Sequence, residues 1–149
     1  MKRLLPILLL IGALTGFAAP VWTTDYAAAL AGAYTDGKYV LLDFTGSDWC
    51  SWCIKLDKDV LKSAEFADFA KDNLNLVKVD FPRKELAAEQ TANNQQLKNR
   101  FGIRGYPTMV LVNKFGKEIG RQVGYISKDA TLTWLSKSTG VNVAKQPSE

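Results

Sequence analysis

The 149-residue sequence has no histidine and only two cysteines. Without histidine, nucleophiles that need a His base and metal sites built on imidazole are excluded. Two cysteines can form only one disulfide within the chain, so a fold stabilised by several disulfides is excluded and any redox or metal chemistry of cysteine depends on this pair. The charge is also modest, because 19 basic and 15 acidic residues leave a net charge of +4. That excess is too small to indicate a nucleic-acid partner, and we expect none.

The composition lacks the marks of a disordered chain. With 47% hydrophobic and 23% charged residues, the sequence has enough apolar side chains to form a packed core. Its length supports one domain. A core of this size does not depend on several disulfides for its stability.

Residues 1–18 show the three-part pattern of a secretory signal peptide. A basic start is followed by the apolar residues 4–14 and by small residues before a cut after Ala18. The apolar run is shorter than the about 20 residues of a membrane-spanning helix, and an uncleaved anchor is the alternative. We therefore predict one domain over residues 19–149 that is periplasmic or secreted, where disulfides form and persist.

Hydrophobic patterning predicts helices that alternate with strands along the domain. The early alternation indicates a parallel strand pair, and a late hairpin adds an antiparallel edge. The predicted fold is α/β, with a central mixed β-sheet flanked by helices. Strands are predicted over residues 39–44, 74–80, 108–112 and 118–123, and helices near 25–34, 50–61 and 85–101 and after Ser127, with a further turn capped by Ser63.

The two cysteines lie in Trp49-Cys50-Ser51-Trp52-Cys53, between a predicted strand and a predicted helix. A bare C-x-x-C is weak by itself, since zinc sites and short disulfides share it. A cysteine at a helix start, however, meets unpaired N–H groups and the positive end of the helix dipole. Such a setting lowers a thiol pKa from about 8.5 into the range of roughly 3.5–7.5. We therefore predict that Cys50 attacks a substrate disulfide and that Cys53, one turn inward, resolves the mixed disulfide.

Two segments together resemble the thioredoxin superfamily, and more narrowly its exported bacterial thiol-disulfide oxidoreductases. The first is Asp43-Phe44, a turn and Trp49-Cys50-x-x-Cys53, and the second is the stretch FGIRGYPT at residues 101–108. The resemblance spans about residues 25–139. It implies a thioredoxin-like fold, protein disulfide substrates, and no metal or organic cofactor besides the Cys50–Cys53 disulfide. It also implies an electron partner, either a membrane reductant or an oxidase, and we expect a monomer.

The resemblance assigns roles to residues around the cysteines. It implies that the Tyr106–Pro107 bond is cis and faces the cysteines, leaving the Tyr106 backbone free to pair with an extended substrate strand. Trp49 is expected at the site beside Cys50. Trp52 is either an apolar contact for substrate or a residue that packs on its own helix.

Asp43 is a carboxylate within an otherwise apolar strand, where burial is costly without a role or a partner. The resemblance implies a buried acid beneath Cys53, with a raised pKa suited to accepting the proton when Cys53 attacks. The alternative is a strand-end aspartate hydrogen-bonded in the turn. We expect Asp48 to be a solvated turn residue. Lys78 is either a charge that influences Asp43 or, as we expect, an alternating strand charge. The charged residues of the following helix are expected to form a solvated face: Lys55, Asp57, Lys58, Asp59 and Lys62.

The sequence indicates the redox site more clearly than it indicates whether the protein reduces or oxidises its substrates. The intervening pair Ser51-Trp52 contains no histidine to stabilise a thiolate, which favours a reducing or intermediate potential. Two alternatives stay open beside the predicted oxidoreductase. One is a binding module for a soft ion such as Cu(I), since two thiolates suit copper but make a poor zinc site. The other is a non-catalytic adaptor in which the cysteines form a structural disulfide.

Overall fold

Five strands form one mixed sheet in the computed structural model, which describes residues 19–142. The spatial order is β1-β3-β2-β4-β5. β3 pairs in parallel with β1 and with β2, whereas β4 pairs antiparallel with β2 and β5. The signal peptide predicted at residues 1–18 lies outside the described residues. The strands are β1 (Trp22–Thr23), β2 (Tyr39–Thr45), β3 (Leu74–Asp80), β4 (Thr108–Val112) and β5 (Glu118–Val123).

Helices cover both faces of the sheet, and the predicted α/β fold with a mixed central sheet is confirmed. Side-chain oxygens of Asp25, Ser63 and Ser127 cap α1, α3 and α5 by accepting a hydrogen bond from a first-turn amide. No side chain caps α4. The helices are α1 (Tyr26–Asp36), α2 (Ser51–Leu56), which continues into a π-helical segment (Asp57–Leu61), α3 (Ala64–Asn73), α4 (Ala88–Arg100) and α5 (Lys128–Thr139).

Three elements differ most from the sequence prediction. Ser63 was expected to cap a further turn, but it caps the ten-residue helix α3. β1 was not predicted, because a strand of two residues is too short to show a periodic pattern. α4 begins at Ala88 rather than near residue 85, since no capping residue marks its start. Within residues 19–142, no helix is long and apolar enough to cross a bilayer.

The central strand β2 is buried on both faces, because its neighbours β3 and β4 pair along it and helices cover it above and below. Successive side chains of a strand point to opposite faces. Val40, Leu42 and Phe44 therefore pack with α1, whereas Leu41 packs with α2 and α3. The same alternation places Asp43 on the face of Leu41, toward the helix that carries the cysteines.

Candidate active site

Cys50 and Cys53 form a disulfide just beyond the carboxyl end of β2. Cys50 is the N-cap residue of α2, and its Sγ accepts a hydrogen bond of 3.2 Å from the amide of Cys53. Its own amide donates to the carbonyl of Gly46 at 2.9 Å, which closes the turn between strand and helix. Cys50 is 8% exposed and Cys53 is 2% exposed. Both residues are buried, and Cys50, at the helix start, is the more exposed of the two.

This position favours a thiolate at Cys50 when the disulfide is reduced. The first-turn amides of a helix have no partner within the helix, and the dipole adds positive potential there. The Cys53 amide already points at the Cys50 sulfur. A negative charge on Cys50 would therefore be stabilised where it forms, as the sequence predicted for the attacking thiol.

The turn before Cys50 requires glycine at Gly46. A Cβ atom placed there would lie 2.4 Å from Cε2 of the Trp49 indole, which no side chain tolerates without displacement. The indole packs over the turn, and its Nε1 donates a 2.7 Å hydrogen bond to the carbonyl of Phe81. Trp49 is consequently held in one orientation beside Cys50, with 39% of its surface exposed.

Two carboxylates tie this turn to the loop that follows β3. Asp80 accepts hydrogen bonds from the Ser47 amide at 2.9 Å and from its hydroxyl at 2.5 Å. Asp48 accepts hydrogen bonds from the amides of Arg83, at 2.9 Å, and Lys84, at 3.2 Å. These amides hold the pKa of Asp48 below its usual value, the Arg83 bond being the larger cause. Asp48 lies exposed in a turn, as expected, and in addition it ties this turn to the loop after β3.

Aromatic rings line the site beside the cysteines. The Tyr106–Pro107 peptide bond is cis, and Pro107 is buried. The Tyr106 ring lies edge-to-face with Trp49, with 5.9 Å between ring centroids, and 5.4 Å from the ring of Phe81. The structure thus brings Trp49, Tyr106 and Pro107 together and adds Phe81. Sequence reasoning missed Phe81, whose only signal was its place directly after β3.

Trp52 lies on the exposed surface of α2. Its side chain is 58% exposed, and its ring lies 5.6 Å from that of Tyr125. Of the two interpretations left open by the sequence, the exposed position agrees with an apolar contact for substrate. Its neighbour Tyr125 was not singled out from the sequence, because it follows β5 and approaches α2 only in the folded chain.

Asp43 is buried within β2 and is 2% exposed. Its Oδ1 has no hydrogen-bond partner within the described residues 19–142. Burial raises the pKa of Asp43 to about 7, while the nearby Lys78 opposes the rise and Asp57 and Asp80 add to it. The alternative of a strand-end aspartate bonded in the turn does not fit this environment. A group with such a pKa can hold or release a proton near neutral pH.

Lys78 and Asp57 complete the charged surroundings of Asp43. Lys78 is the register partner of Asp43 on β3. Its Nζ lies 3.4 Å from Oδ1 of Asp57, whose Oδ2 lies 2.5 Å from Nζ of Lys62. Asp57 therefore points toward the sheet, and the predicted fully solvated face of this helix was wrong at that position. Of the two interpretations of Lys78, an influence on Asp43 fits the structure, because Lys78 is its register partner and its charge opposes the rise of the Asp43 pKa.

The outer face of the same helix matches the prediction. Lys55 and Asp59 form an exposed pair one turn apart, with 2.6 Å between Nζ and Oδ2. Across residues 19–142, no group of three or more potential metal-ligating side chains comes together. Cys50 and Cys53 would thus be the only thiol ligands available to a soft metal ion.

The fold and the site define a thioredoxin-type domain with a redox-active disulfide at the start of a helix. The profile of the Thioredoxin-like domain family matches residues 26–139, and the chain belongs to this family.

Several relatives carry the comparison further. The chain is 40% identical over 119 residues to Disulfide bond reductase DsbH of Chlamydia pneumoniae, covering 74% of this chain and 72% of that protein. It is 31% identical over 115 residues to Thioredoxin-related protein DsbJ of the same organism, covering 70% of this chain and 33% of that protein. A solved structure described as DsbH Oxidoreductase superposes with a TM-score of 0.78 at 36% identity, covering 84% of this chain and 88% of that one. The chain is accordingly a thiol-disulfide oxidoreductase.

Proposed function

We propose that this protein is an exported reductase of protein disulfides, in which Cys50 attacks, Cys53 resolves and Asp43 accepts a proton. The observation that carries the proposal is the Cys50–Cys53 disulfide at the start of α2, with the more exposed of the two cysteines at the N-cap. The reducing direction is supported by the relative named Disulfide bond reductase. The absence of histidine from the pair Ser51-Trp52 favours the same direction.

The first step is attack by the reduced enzyme. The Cys50 thiolate forms a bond to one sulfur of the substrate disulfide, and the substrate S–S bond breaks. The other substrate sulfur leaves as a thiolate and takes a proton from solvent. The product of this step is a mixed disulfide between Cys50 and the substrate.

The second step resolves the mixed disulfide. Cys53 gives its proton to the Asp43 carboxylate and attacks Sγ of Cys50. The second substrate sulfur leaves as a thiolate, and the Cys50–Cys53 disulfide forms. The substrate gains two electrons and the enzyme loses two. Asp43 suits this role because burial brings its pKa to about 7.

Substrate binding is assigned to the aromatic side of the site. An extended substrate segment would pair with the Tyr106 backbone beside Pro107, and Trp49 and Trp52 would contact its apolar side chains. Both indoles are exposed, at 39% and 58%, on the surface that surrounds the disulfide. Such exposed aromatic side chains are typical of interaction sites.

Each cycle leaves the cysteine pair oxidised, so the protein needs a dithiol donor. We assign that part to a membrane electron donor, which fits the export indicated by residues 1–18. An oxidase would replace this donor if the protein worked in the opposite direction. We expect the protein to act as a monomer on protein disulfides.

The reduction potential of the Cys50–Cys53 pair tests the direction. The domain would be equilibrated against glutathione or dithiothreitol buffers. A value below about −230 mV is expected for a reductase, within a family range of about −270 to −120 mV. A value above about −180 mV would instead indicate oxidation or isomerisation.

Single cysteine variants test the assignment of attacker and resolver. Cys50→Ser should abolish reduction of a protein disulfide. Cys53→Ser should accumulate mixed disulfides, because the attacking thiol remains and no second thiol releases the substrate. If Cys53→Ser captures no substrate and retains full activity, the assignment is wrong.

A further inference from the structure

A lysine lies over the aromatic side of the site. Lys98, in the last turn of α4, places its Nζ 5.3 Å from the ring centroid of Phe81 and 5.4 Å from that of Tyr106. Both distances are within the about 6 Å at which a cation is attracted to a ring face. Both rings therefore attract the ammonium group toward the aromatic side of the site.

These rings connect Lys98 to the disulfide. Tyr106 contacts Trp49, which directly precedes Cys50 in the chain. The carbonyl of Phe81 holds the Trp49 indole through a hydrogen bond. A substrate segment that lies along Tyr106 beside the cysteines would therefore pass next to the ammonium group.

No carboxylate of the described residues 19–142 forms an ion pair with Lys98. Asp48 and Asp80, near the site, already have partners. Asp48 accepts hydrogen bonds from amides of the loop after β3, and Asp80 accepts hydrogen bonds from Ser47. The positive charge of Lys98 is thus held beside the site without a negative partner from its surroundings.

We propose that Lys98 binds a carboxylate of the protein substrate, so that the enzyme prefers disulfides whose cysteine is flanked by Asp or Glu in an extended segment. The inference rests on the proposed function and specifies its substrate class. In an extended segment, side chains two residues apart point to the same side, about 7 Å from one another. An acidic residue two positions from the reacting cysteine therefore points to the same side of the substrate segment as the cysteine, where Lys98 would contact it.

The chain offers a matched control in Lys114. Its Nζ lies 5.4 Å from the ring of Phe115 and 5.9 Å from that of Tyr34, the same kind of two-ring contact. It lies in the turn between β4 and β5. Because β4 runs antiparallel to β2, this turn is at the opposite end of the sheet from the cysteines.

The test uses short peptides with one cysteine in a mixed disulfide with 2-mercaptoethanol, a neutral thiol. The peptides are identical except for Glu, Gln or Lys at the positions two residues before and after the cysteine. The reduced enzyme is mixed with each peptide, and the second-order rate constant is followed through tryptophan fluorescence. Wild type, Lys98→Gln and Lys114→Gln are compared at low and high salt.

We expect wild type to react about two- to fivefold faster with the Glu peptide than with the Gln peptide, and slowest with the Lys peptide. The preference should shrink at high salt, because screening shortens the reach of exposed charges. Lys98→Gln should lose the preference yet react with the Gln peptide at the wild-type rate. Lys114→Gln should retain the preference.

Equal rates of wild type with the Glu and Gln peptides would overturn the inference and leave disulfide reduction standing. The inference would also be overturned if Lys98→Gln kept the preference for the Glu peptide. It would likewise be overturned if Lys98→Gln reduced both peptides more slowly by the same factor, since that is a structural effect. If the enzyme reduces none of the peptides and no protein disulfide, the proposed function fails and the Lys98 inference fails with it.

Discussion

The buried carboxylate of Asp43 should make the folded protein less stable as the pH rises. Its pKa is raised from 3.8 to about 7 by burial. A shift of this size, about three pH units at about 1.4 kcal/mol each, corresponds to about 4 kcal/mol. That is the free energy by which the ionised carboxylate destabilises the folded state relative to the protonated one.

The sign follows from proton binding. Between pH 4 and 7 the folded protein holds a proton on Asp43 that the unfolded chain has released, so the unfolding free energy falls as the pH rises. Below about pH 4 the penalty is absent, and above about pH 7 it is fully present. No histidine titrates within this window, because the sequence contains none, and the cysteines do not titrate while they form a disulfide.

Asp43→Asn replaces the carboxylate with a neutral group of the same shape. We expect the oxidised variant to be more stable than wild type by about 2–4 kcal/mol at pH 8, and nearly equal to it at pH 4. Urea denaturation at several pH values, followed by circular dichroism, measures the difference. The exposed Asp59→Asn is the control, and its effect should stay within about 1 kcal/mol at every pH.

A difference between Asp43→Asn and wild type that does not change with pH would refute the reasoning. So would a variant that is less stable than wild type at pH 8. A difference that does not change with pH would mean that Asp43 is ionised without penalty in the folded protein. A carboxylate with an ordinary pKa would be a much weaker proton acceptor for Cys53 near neutral pH.

Two further predictions concern the surroundings of the disulfide. Asp57→Asn should lower the pKa of Asp43, because it removes a nearby negative charge and frees Lys78 from its ion pair with Asp57. NMR of the Asp43 carboxyl carbon measures this pKa, and an unchanged or higher value would contradict the prediction. Gly46→Ala should destabilise the protein by about 1–3 kcal/mol and alter tryptophan fluorescence, because the new methyl group meets the Trp49 indole. Unchanged stability and fluorescence would show that the turn can move aside.

Local patterns were sufficient for much of the fold. β3, β4 and β5 begin and end at the residues predicted from the sequence. Ser63 and Ser127 cap their helices as expected, since a cap depends on residues within one turn. The two-residue β1 and the start of α4 carried no such local signal, and the prediction missed them.

For the site as well, features that depend on adjacent residues were predicted from the sequence, and contacts between distant segments were not. The position of Cys50 and Cys53 between a strand and a helix was readable from the sequence, because it depends on neighbouring residues. The role of Asp48 could not be predicted, because its carboxylate accepts hydrogen bonds from backbone amides about 35 residues away in the chain. The contact of Phe81 with Tyr106 likewise joins residues from separate loops.

The sequence by itself determined the order of strands and helices, the mixed sheet and the cysteine pair at a helix start. These features follow from side-chain periodicity and from the chemistry of adjacent residues. Only the tertiary structure decided that Asp43 lies beside Lys78 and that Lys98 lies over Tyr106 and Phe81. Strand register and packing set these distances, and the hydrophobic pattern of a chain does not specify which polar groups its folding brings together.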